Sequence, residues 1–407
     1  MSAVKTTLPL EGIKVIDLAT FGAAPICAMT LADWGADVIK VETLNGDAFR
    51  YFGFAMKCPI TEDDNIMWEL ENRNKRGVSV DLKTAGGKEI LSKLLASADV
   101  MVTNMRPDAL KRLELDYETT SKLYPRLIYA YLSGYGDQGP DRNKPGFDLP
   151  AFFARSGILL EFGEPGTEPM PGIAGFGDHT TGTFLVGGVC AALLNRYRTN
   201  RGCKVNIALY NAALWNLSLN IVAANNQGVF PRQSRKNPRS ALMNTYQTKD
   251  GKWVNVTMLE YDKYWKPLCI KVLNRPDMAE DPRFSTMFAG FENGAAAAAQ
   301  IQGEFEKYTL AELKPRLNGA DIAYEVCQRW HEIKNDEQAL INGFIMEQHL
   351  ASGRKEWVIG NPVKYNSENT VIRRNAPKLG EHNREVLKEL GYSSVDIAKL
   401  IKNNIVK

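Results

Sequence analysis

A single carboxylate in a glycine-rich stretch near the middle of the chain has the setting of a nucleophile. Asp178 follows Gly175 and Gly177, precedes Gly182, and stands just ahead of an apolar run over 184–194. Glycines let the backbone approach a ligand closely, and the positive end of a helix dipole favours an ionised acid at a helix start. Such a carboxylate can attack an acyl carbon while nearby backbone N–H groups hold the oxyanion that forms.

The same stretch has a simpler interpretation, in which Asp178 only caps a helix. Aspartate is one of the preferred N-cap residues, and Thr180 and Thr181 suit a helix start. On the motif alone a cap is the commoner role for such an aspartate. The choice between the two roles therefore depends on the rest of the chain.

Size and composition are those of an ordinary soluble globular protein. The chain has 407 residues, long enough for two domains, and is 44% hydrophobic and 24% charged. Its net charge of +3 is too close to neutral to favour nucleic acid or a membrane surface as a partner. No uncharged apolar stretch reaches the roughly 18 residues that span a bilayer, and residues 1–11 lack the apolar core of a secretion signal. We therefore expect a cytoplasmic protein.

Cysteine and histidine spacing predicts neither a disulfide framework nor a metal site. The six cysteines include no CxxC pair, and the four histidines form no HxxH or HExxH spacing. Without a secretion signal, reduced thiols are the simplest expectation. We therefore expect no bound metal.

The first half of the chain alternates strand and helix patterns. Residues 12–19 and 37–42 are typical of β-branched strands, and a short helix is predicted between them over 26–34. This βαβ unit implies a parallel sheet, and later segments continue the alternation. The pattern predicts a doubly wound α/β layer, in which ligands bind beyond the carboxyl ends of the strands.

Polar and basic residues follow several of the predicted strands. Asn104 and Arg106 come directly after one strand, and Arg112 lies a turn or two later. Arginine grips phosphate through paired hydrogen bonds, so the cluster suits a phosphorylated ligand. Each arginine taken alone is more often part of a solvated loop.

A glycine motif at 134–139 matches GxGxxG and follows a predicted strand. Pro140 and a polar turn follow it, so no helix opens at the third glycine and no helix N-terminus is available for a phosphate. The context of a dinucleotide site is missing, which disfavours a nicotinamide or flavin enzyme.

The second half of the chain has a different pattern of predicted secondary structure. A basic segment containing proline and glycine over 227–237 is typical of a linker. Antiparallel strands and then helices follow it, and the tail over 377–407 is predicted to form two short helices, the second capped by Ser393 with Asp396 three residues on. The domains expected are a large α/β domain over 1–227, a smaller α+β domain over 228–325, and a C-terminal part over 326–407.

With these motifs in order, the chain resembles the family III CoA-transferases, the group of formyl-CoA transferase and carnitine CoA-transferase. Each matching stretch is moderately specific alone, and the set runs from one end of the chain to the other, over 10–18, 31–42, 74–83, 132–136 and 380–392. The resemblance is greatest to transferases of 2-hydroxy acids such as phenyllactate and 2-hydroxyisocaproate in anaerobic amino-acid fermentation. It is carried there by 145–148, 152–157 and 177–179.

The resemblance implies that Asp178 is the nucleophile, because the family's aspartate falls in the same Gly-Asp-x-x-x-Gly setting. Asp178 would form a mixed anhydride and then an aspartyl-CoA thioester. Gly175 and Gly177 would serve the oxyanion, and His179 would help to position the site. Acyl-CoA and a carboxylic acid are the substrates implied, and no tightly bound cofactor is needed.

The family's CoA contacts carry over residue by residue to Gly22, Ala23, Lys83, Asn104, Met105, Arg106 and Arg112. Two departures matter. Thr43 replaces an arginine near the adenine, and the glycine-run loop of formyl-CoA transferase is absent, its region reading as 237–246 here. Formate and oxalate are therefore not expected as substrates. Phe152 and Phe153 suit an apolar acyl pocket and a plain core equally well.

The main alternative is an acyl-CoA racemase of the same fold. Those enzymes move the α-proton with a His–Asp pair, and Phe147 stands here where the racemases have the histidine. A phenyl ring carries no proton, which disfavours the racemase. The family fold implies a Rossmann-like large domain, a smaller domain and an interlocked homodimer.

Overall fold

Six short segments, most of them rich in β-branched or aromatic residues, which favour extended backbone, form one parallel sheet. The structure, a computed structural model, describes residues 8–227 and 234–407. The sheet strands are β1 (Lys14–Leu18), β2 (Asp37–Glu42), β3 (Arg76–Ser79), β4 (Val100–Thr103), β5 (Ile128–Ser133) and β6 (Lys204–Ala208). Their order is β3-β2-β1-β4-β5-β6, and every neighbouring pair is parallel.

The order reverses between β1 and β4, which is the arrangement of a doubly wound sheet. The predicted α/β fold with a parallel sheet is confirmed. The reversal point is where two loops diverge at the carboxyl edge and leave room for a ligand. The loop after β1 carries Gly22, and the loop after β4 carries Asn104.

Helices alternate with these strands. Before the undescribed stretch they are α1 (Ala23–Asp33), α2 (Ile66–Asn72), α3 (Ala85–Ala96), α4 (Pro107–Arg112), α5 (Tyr117–Leu123), α6 (Ile158–Glu161), α7 (Phe176–Thr199), α8 (Leu209–Asn216) and α9 (Ser218–Gln227). A 3₁₀ segment covers Ala48–Phe54, and a π-helical segment covers Asp148–Ala154.

The later elements are shorter. The strands are β7 (Met243–Gln247), β8 (Trp253–Thr257), β9 (Tyr324–Val326), β10 (Ile345–His349) and β11 (Lys355–Ile359). The helices are α10 (Tyr261–Pro267), α11 (Pro276–Ala279), α12 (Met287–Glu292), α13 (Gly294–Phe305), α14 (Leu310–Gly319), α15 (Trp330–Ile333), α16 (Glu337–Ile341), α17 (Asn383–Glu389) and α18 (Ser394–Lys402). A second π-helical segment covers Leu268–Val272.

Two structural units emerge from the contacts between these elements. The first holds the described residues up to Gly157, with Pro171–Val222 and Asp336–Lys407; the second holds Ile158–Met170 and the described residues from Ala223 to Asn335. The boundary predicted between residues 227 and 228 falls against residues outside the described ranges. The domain ranges 1–227, 228–325 and 326–407 stay predictions.

Apolar side chains on one face of the sheet form the larger core of the first unit. Ile16 and Val78 from the strands pack there with Leu91 of α3, Val386 of α17 and Ile397 of α18. Backbone groups of β3 also bond to the tail, since His382 Nδ1 accepts from the N–H of Gly77 at 3.1 Å. The tail helices α17 and α18 are thus part of this unit. The capping box predicted at Ser393 is confirmed.

The other face of the sheet is covered by α1 and α7. A Cβ added at Gly182 of α7 would lie only 2.4 Å from the carbonyl oxygen of Ala23, so a side chain there would force the two helices apart. Glycine at this position therefore lets α7 approach the first turn of α1. The helix predicted over the apolar run begins earlier than that run, at Phe176.

The second unit has its own sheet and core. β8 pairs antiparallel with β7 and with β9, and Gly251 takes a positive φ of 76° in the predicted hairpin turn. Trp265, Phe284 and Phe305 are buried in its core. Within the described ranges, no helix combines the length and the apolar character that a membrane span requires.

Candidate active site

Asp178 lies in the first turn of α7 and does not cap it. The N-cap is Gly175, whose φ of 84° is left-handed, and no described side chain caps this helix. The hydroxyls of Thr180 and Thr181 donate back to carbonyls four residues earlier, at 2.8 and 2.7 Å, so they do not start the helix either. The capping interpretation of Asp178 is wrong, and the side chain is left available for another purpose.

The carboxylate of Asp178 lies against the N-terminus of α1. A Cβ added at Gly22, the N-cap of α1, would lie 2.7 Å from Oδ2 of Asp178. Gly22 was predicted as a CoA contact and Asp178 as the nucleophile, and the structure brings the two together. The close approach of α1 and α7 at Gly182 explains how.

A second acid, Asp148, lies beside the same turn. It is buried, and a Cβ at Gly177 would come within 2.2 Å of its Oδ1. Neither oxygen has a hydrogen bond of normal geometry within the described part of the chain. Burial raises the pKa of Asp148 to about 6, although the backbone N–H groups of Gly175, Gly177 and Asp178 act to lower it.

Those N–H groups bear on the predicted oxyanion site. The N–H groups of Gly175 and Gly177 lower the pKa of Asp148, and Gly177 lies against Oδ1 of that acid, although no hydrogen bond of normal geometry joins them in the described structure. Whether they also hold a substrate oxyanion stays a prediction for Gly175 and Gly177.

The pKa of Asp178 is raised to about 7, first by burial and then by the charge of Asp148. The sequence predicted an acid kept ionised by the helix dipole. A helix N-terminus contributes about 0.3–1 kcal/mol at most exposed sites, which is less than the 1.36 kcal/mol of one pKa unit. Burial and the neighbouring acid therefore outweigh the dipole, and Asp178 is only partly ionised near neutral pH.

His179 faces a different partner. Its Nε2 lies 3.5 Å from Oε1 of Glu71, a buried acid at the end of α2. Partial burial of its half-exposed ring lowers the pKa of His179, and Arg73 lowers it further. His179 is therefore neutral at physiological pH, which suits the positioning role predicted for it.

Two aromatic residues next to Gly22 and Asp148 in sequence contact each other. Phe21 precedes Gly22 and Phe147 precedes Asp148, and their rings meet edge to face with centroids 5.4 Å apart. Phe21 has a left-handed φ of 61°, which is costly for a bulky residue. Both carboxylate oxygens of Asp47 accept from the backbone N–H of Phe21 at 3.2 Å and hold Phe21 in this conformation. Strain of this kind is characteristic of binding sites.

The predicted CoA residues are of two kinds, those that hold the loops together and cations without an ion pair in the described structure. Asn104 joins two loops, since its side chain donates to the carbonyl of Thr20 at 2.7 Å and accepts from the Thr20 N–H at 3.0 Å. Ala23 is buried in the first turn of α1, and Met105 is half-buried against the core. The cationic side chains are exposed and form no ion pair with other described residues: Lys83, Arg106 and Arg112.

These residues line the carboxyl ends of three strands. The loops after β1 and β4 are neighbours, whereas Lys83 follows β3, which β2 separates from β1. Phe152 and Phe153, by contrast, belong to the core. They are almost fully buried, and a Cβ at Gly177 or Gly172 would collide with their rings. The core interpretation of Phe152 and Phe153 is the correct one.

Sequence reasoning did not assign Asp148 or Glu71 to the site. The only sequence signal for Asp148 was its place after Phe147, in the segment that distinguishes the racemases. Glu71 is separated from His179 by more than a hundred residues, and no local motif predicts their contact.

Comparisons with known proteins agree with this geometry. The sequence profile of CoA-transferase family III matches residues 10–383. The chain is 40% identical to an (R)-2-hydroxy-4-methylpentanoate CoA-transferase of Clostridioides difficile, over 98% of this chain and 99% of the relative. It is 35% identical to a cinnamoyl-CoA:phenyllactate CoA-transferase of Clostridium sporogenes, over 97% of this chain and 96% of the relative.

A solved structure shares the fold. The crystal structure of a CAIB/BAIF family protein from Brucella suis superposes with a TM-score of 0.81 at 28% identity. The superposition covers 95% of this chain and 100% of that one.

Proposed function

The chain belongs to CoA-transferase family III, acting on acyl-CoA and carboxylic acids, and from that premise we propose that Asp178 transfers CoA to a 2-hydroxy acid with an apolar side chain. One observation carries the proposal. The Asp178 carboxylate makes no helix cap and lies against Gly22 at the switch point of the sheet, and the residues before Gly22 and Asp148 carry two aromatic rings that contact each other.

The chemistry requires only nucleophilic exchange. An oxygen of Asp178 attacks the donor thioester carbonyl, the C–S bond breaks, and CoA thiolate leaves a mixed anhydride. The thiolate then attacks the aspartyl carbonyl and releases the donor acid as its carboxylate, which gives an aspartyl-CoA thioester. The acceptor carboxylate repeats both steps in reverse and leaves as the new acyl-CoA. No net proton is taken up or released.

The ionisation of Asp178, which Asp148 opposes, determines the pH at which Asp178 can act. Only the ionised form of Asp178 is a nucleophile, and the charge of Asp148 opposes its ionisation. A negative substrate carboxylate entering the site meets the same repulsion. The positive N-terminus of α1 and the turn at Gly175 offset part of it. Asp178 would therefore lose activity on the acid side of neutrality.

Phe21 and Phe147 support the choice of acid. Phe21 and Phe147 are 38% and 55% exposed, so the residues that precede Gly22 and Asp148 offer apolar surface to a ligand. Two similar proteins are named for acids that carry an isobutyl or a benzyl side chain beside the 2-hydroxyl. An apolar side chain packed on the two rings would orient the acceptor carboxylate.

A homodimer remains part of the proposal. Large apolar side chains are well exposed on the consecutive helices α7, α8 and α9, namely Leu194, Tyr197, Trp215 and Leu219. Exposed apolar surface of this extent is typical of a face that another chain covers. Light scattering should give twice the mass of one chain, and a monomer would overturn the dimer.

The racemase gains no support from the geometry, because Phe147 offers no group that carries a proton. Intact-mass measurement after incubation with a panel of acyl-CoAs tests the transferase. Wild type should gain an acyl or CoA adduct that hydroxylamine removes, and Asp178→Asn should gain none. Asp137→Asn, at an acid that pairs with Lys204, is the matched control and should form the adduct. An unmodified wild type across the panel would contradict the proposal.

A further inference from the structure

A buried acid with an unsatisfied oxygen lies behind His179. Glu71 is only 4% exposed, and its Oε2 has no hydrogen-bond partner among the residues described. Its Oε1 is 3.5 Å from His179 Nε2, longer than a formed hydrogen bond. A buried carboxylate in such a position is costly unless it is protonated or paired.

The cations near Glu71 are committed elsewhere. Lys75 Nζ is bonded to Asp17, to the Pro25 carbonyl and to Asn72. Arg73 is paired with Asp33 at 2.9 Å. Lys40 is paired with Asp47 at 3.1 Å. None of them forms an ion pair with Glu71 in the described structure, although all three lower its pKa from a distance.

The neutral acid is the stable form of Glu71. Burial raises its pKa to about 8, Lys75 opposes this, and the charge of Asp178 raises it again. His179 is neutral as well, because burial and Arg73 hold its pKa below the usual value. At neutral pH the contact therefore joins a carboxylic acid O–H to a neutral imidazole, and not an ion pair.

We propose that Glu71 is a positioning residue that donates its O–H to Nε2 of His179 and so keeps the proton of the imidazole on Nδ1. The half-exposed ring then offers an Nδ1–H donor to the carboxylate or the 2-hydroxyl of the acid at Asp178. This step rests on the proposed function for its substrate. The long apo contact shortens in the complex, as hydrogen bonds in active sites commonly do.

The hydrogen bond depends on the protonated form of Glu71. When Glu71 ionises, its O–H is lost, the carboxylate can only accept and so favours the Nε2–H form of His179, and a third negative charge joins Asp148 and Asp178. All three consequences weaken binding of an anionic acid. The rate in wild type should therefore fall above an apparent pKa near 8.

The pH profile of kcat/KM for CoA transfer is the first test. Glu71→Gln keeps an N–H donor toward Nε2 and cannot ionise, so it should lose the alkaline fall and stay within about tenfold of wild type at pH 7. Glu71→Leu removes the donor and should lose about 10–100-fold, the loss typical when the partner that orients a metal-bound histidine is removed.

Glu69→Gln is the matched control. Glu69 is two residues earlier on α2, is also buried with a raised pKa, and bonds to Gln348 and to the N–H of Ala376. Since it does not face His179 in the structure, Glu69→Gln should keep the alkaline fall. An alkaline fall that survives unchanged in Glu71→Gln would overturn the proposal.

A measurement without substrate separates this inference from the transferase proposal. ¹⁵N chemical shifts of the imidazoles, with His179→Gln to assign the signal, report which ring nitrogen carries the proton. Wild type and Glu71→Gln should show the Nδ1–H form of His179, and Glu71→Leu a mixture. An Nε2–H form in wild type would sink the Glu71 proposal even if Asp178 forms its adduct. The Nδ1–H form in a protein that makes no adduct would leave Glu71 standing and overturn the transferase.

Discussion

Gly22 and Asp178 lie so close that a Cβ on the glycine would be 2.7 Å from the carboxylate oxygen Oδ2. The contact joins the loop after β1 to the first turn of α7 across 156 positions of sequence, from 22 to 178. It places a candidate nucleophile at the N-terminus of α1. Position 22 therefore has almost no room for another residue.

Gly22→Ala should impair catalysis more than stability. The added methyl would displace the flexible end of the Asp178 side chain, and a shift of about 1 Å at a reacting group costs about 100-fold. We expect the rate of adduct formation to fall by about that factor, with little change in Tm. Intact-mass spectra of samples quenched at successive times measure the rate. Gly187→Ala is the control because nothing lies within 4 Å of its Cβ. Equal rates for the two variants would contradict the role of the contact.

Gly182→Ala should act on folding. Its methyl would meet the carbonyl oxygen of Ala23 at 2.4 Å, a backbone atom that cannot move aside without shifting α1. Overpacking of this kind costs about 1–3 kcal/mol. Urea denaturation should show that loss, while Gly187→Ala, in the same helix, should be neutral or slightly stabilising because alanine favours helix. A stable Gly182→Ala would mean that α1 and α7 separate easily.

Asp148→Asn should move the acid side of the pH profile. Asp178 has a pKa of about 7, raised first by burial and then by Asp148. Removing the second charge lowers that pKa, so the rising limb of kcat/KM should shift to lower pH, and at pH 6 the variant should keep about threefold more of its plateau rate than wild type. Burial remains, so the limb should not reach the value of a free aspartate. The two acids titrate as a pair, and an unmoved limb would show that they are uncoupled.

Asp178→Asn should stabilise the fold at neutral and alkaline pH. A carboxyl whose folded pKa is raised binds more protons in the native than in the unfolded state between pH 3.8 and about 7, so stability falls as pH rises through that window. Asparagine removes this penalty above pH 7 but not near pH 3.8. Calorimetry at pH 8 should show a Tm higher by about 2–4 °C, with the gain vanishing near pH 4. A lower Tm at pH 8 would indicate that the ionised form is favourably solvated.

Phe147→Ala should narrow the difference between acceptor acids. Losing part of the aromatic surface costs roughly 1.5 kcal/mol for a ligand that packs on it, close to a tenfold loss of kcat/KM. We expect that loss for acids with isobutyl or benzyl side chains and almost none for lactate. An equal loss for all acceptors would assign Phe147 a structural role instead.

The fold was predictable because its signals are local. The β-branched segments around Val15 and Val38 and the glycine that ends α1 predict a βαβ unit without reference to the rest of the chain. The cap at Ser393 was predicted for the same reason. The α2 helix and the β10–β11 hairpin carry weaker patterns and were not predicted.

The site was predictable only in part. Asp178 stands in a recognisable glycine setting, but its partners Asp148 and Glu71 come from distant segments that only the folded chain brings near it. Its raised pKa was missed for a related reason. Helix position can be predicted from sequence, whereas burial and the charge of a neighbour depend on tertiary packing.

Hydrogen bonds fix both loops at the switch point, and this has a thermodynamic consequence. Asn104 and Thr20 bond to each other, and Asp47 accepts from the backbone N–H of Phe21. The two loops at the switch point are ordered before any ligand arrives, so binding does not have to supply their loss of backbone entropy, about 1–2 kcal/mol per residue. The affinity that the proposed phosphate contacts at Arg106 or Lys83 would supply is then expressed nearly in full. Removing these hydrogen bonds should therefore weaken CoA binding through a more negative entropy of association, with the enthalpy of association little changed.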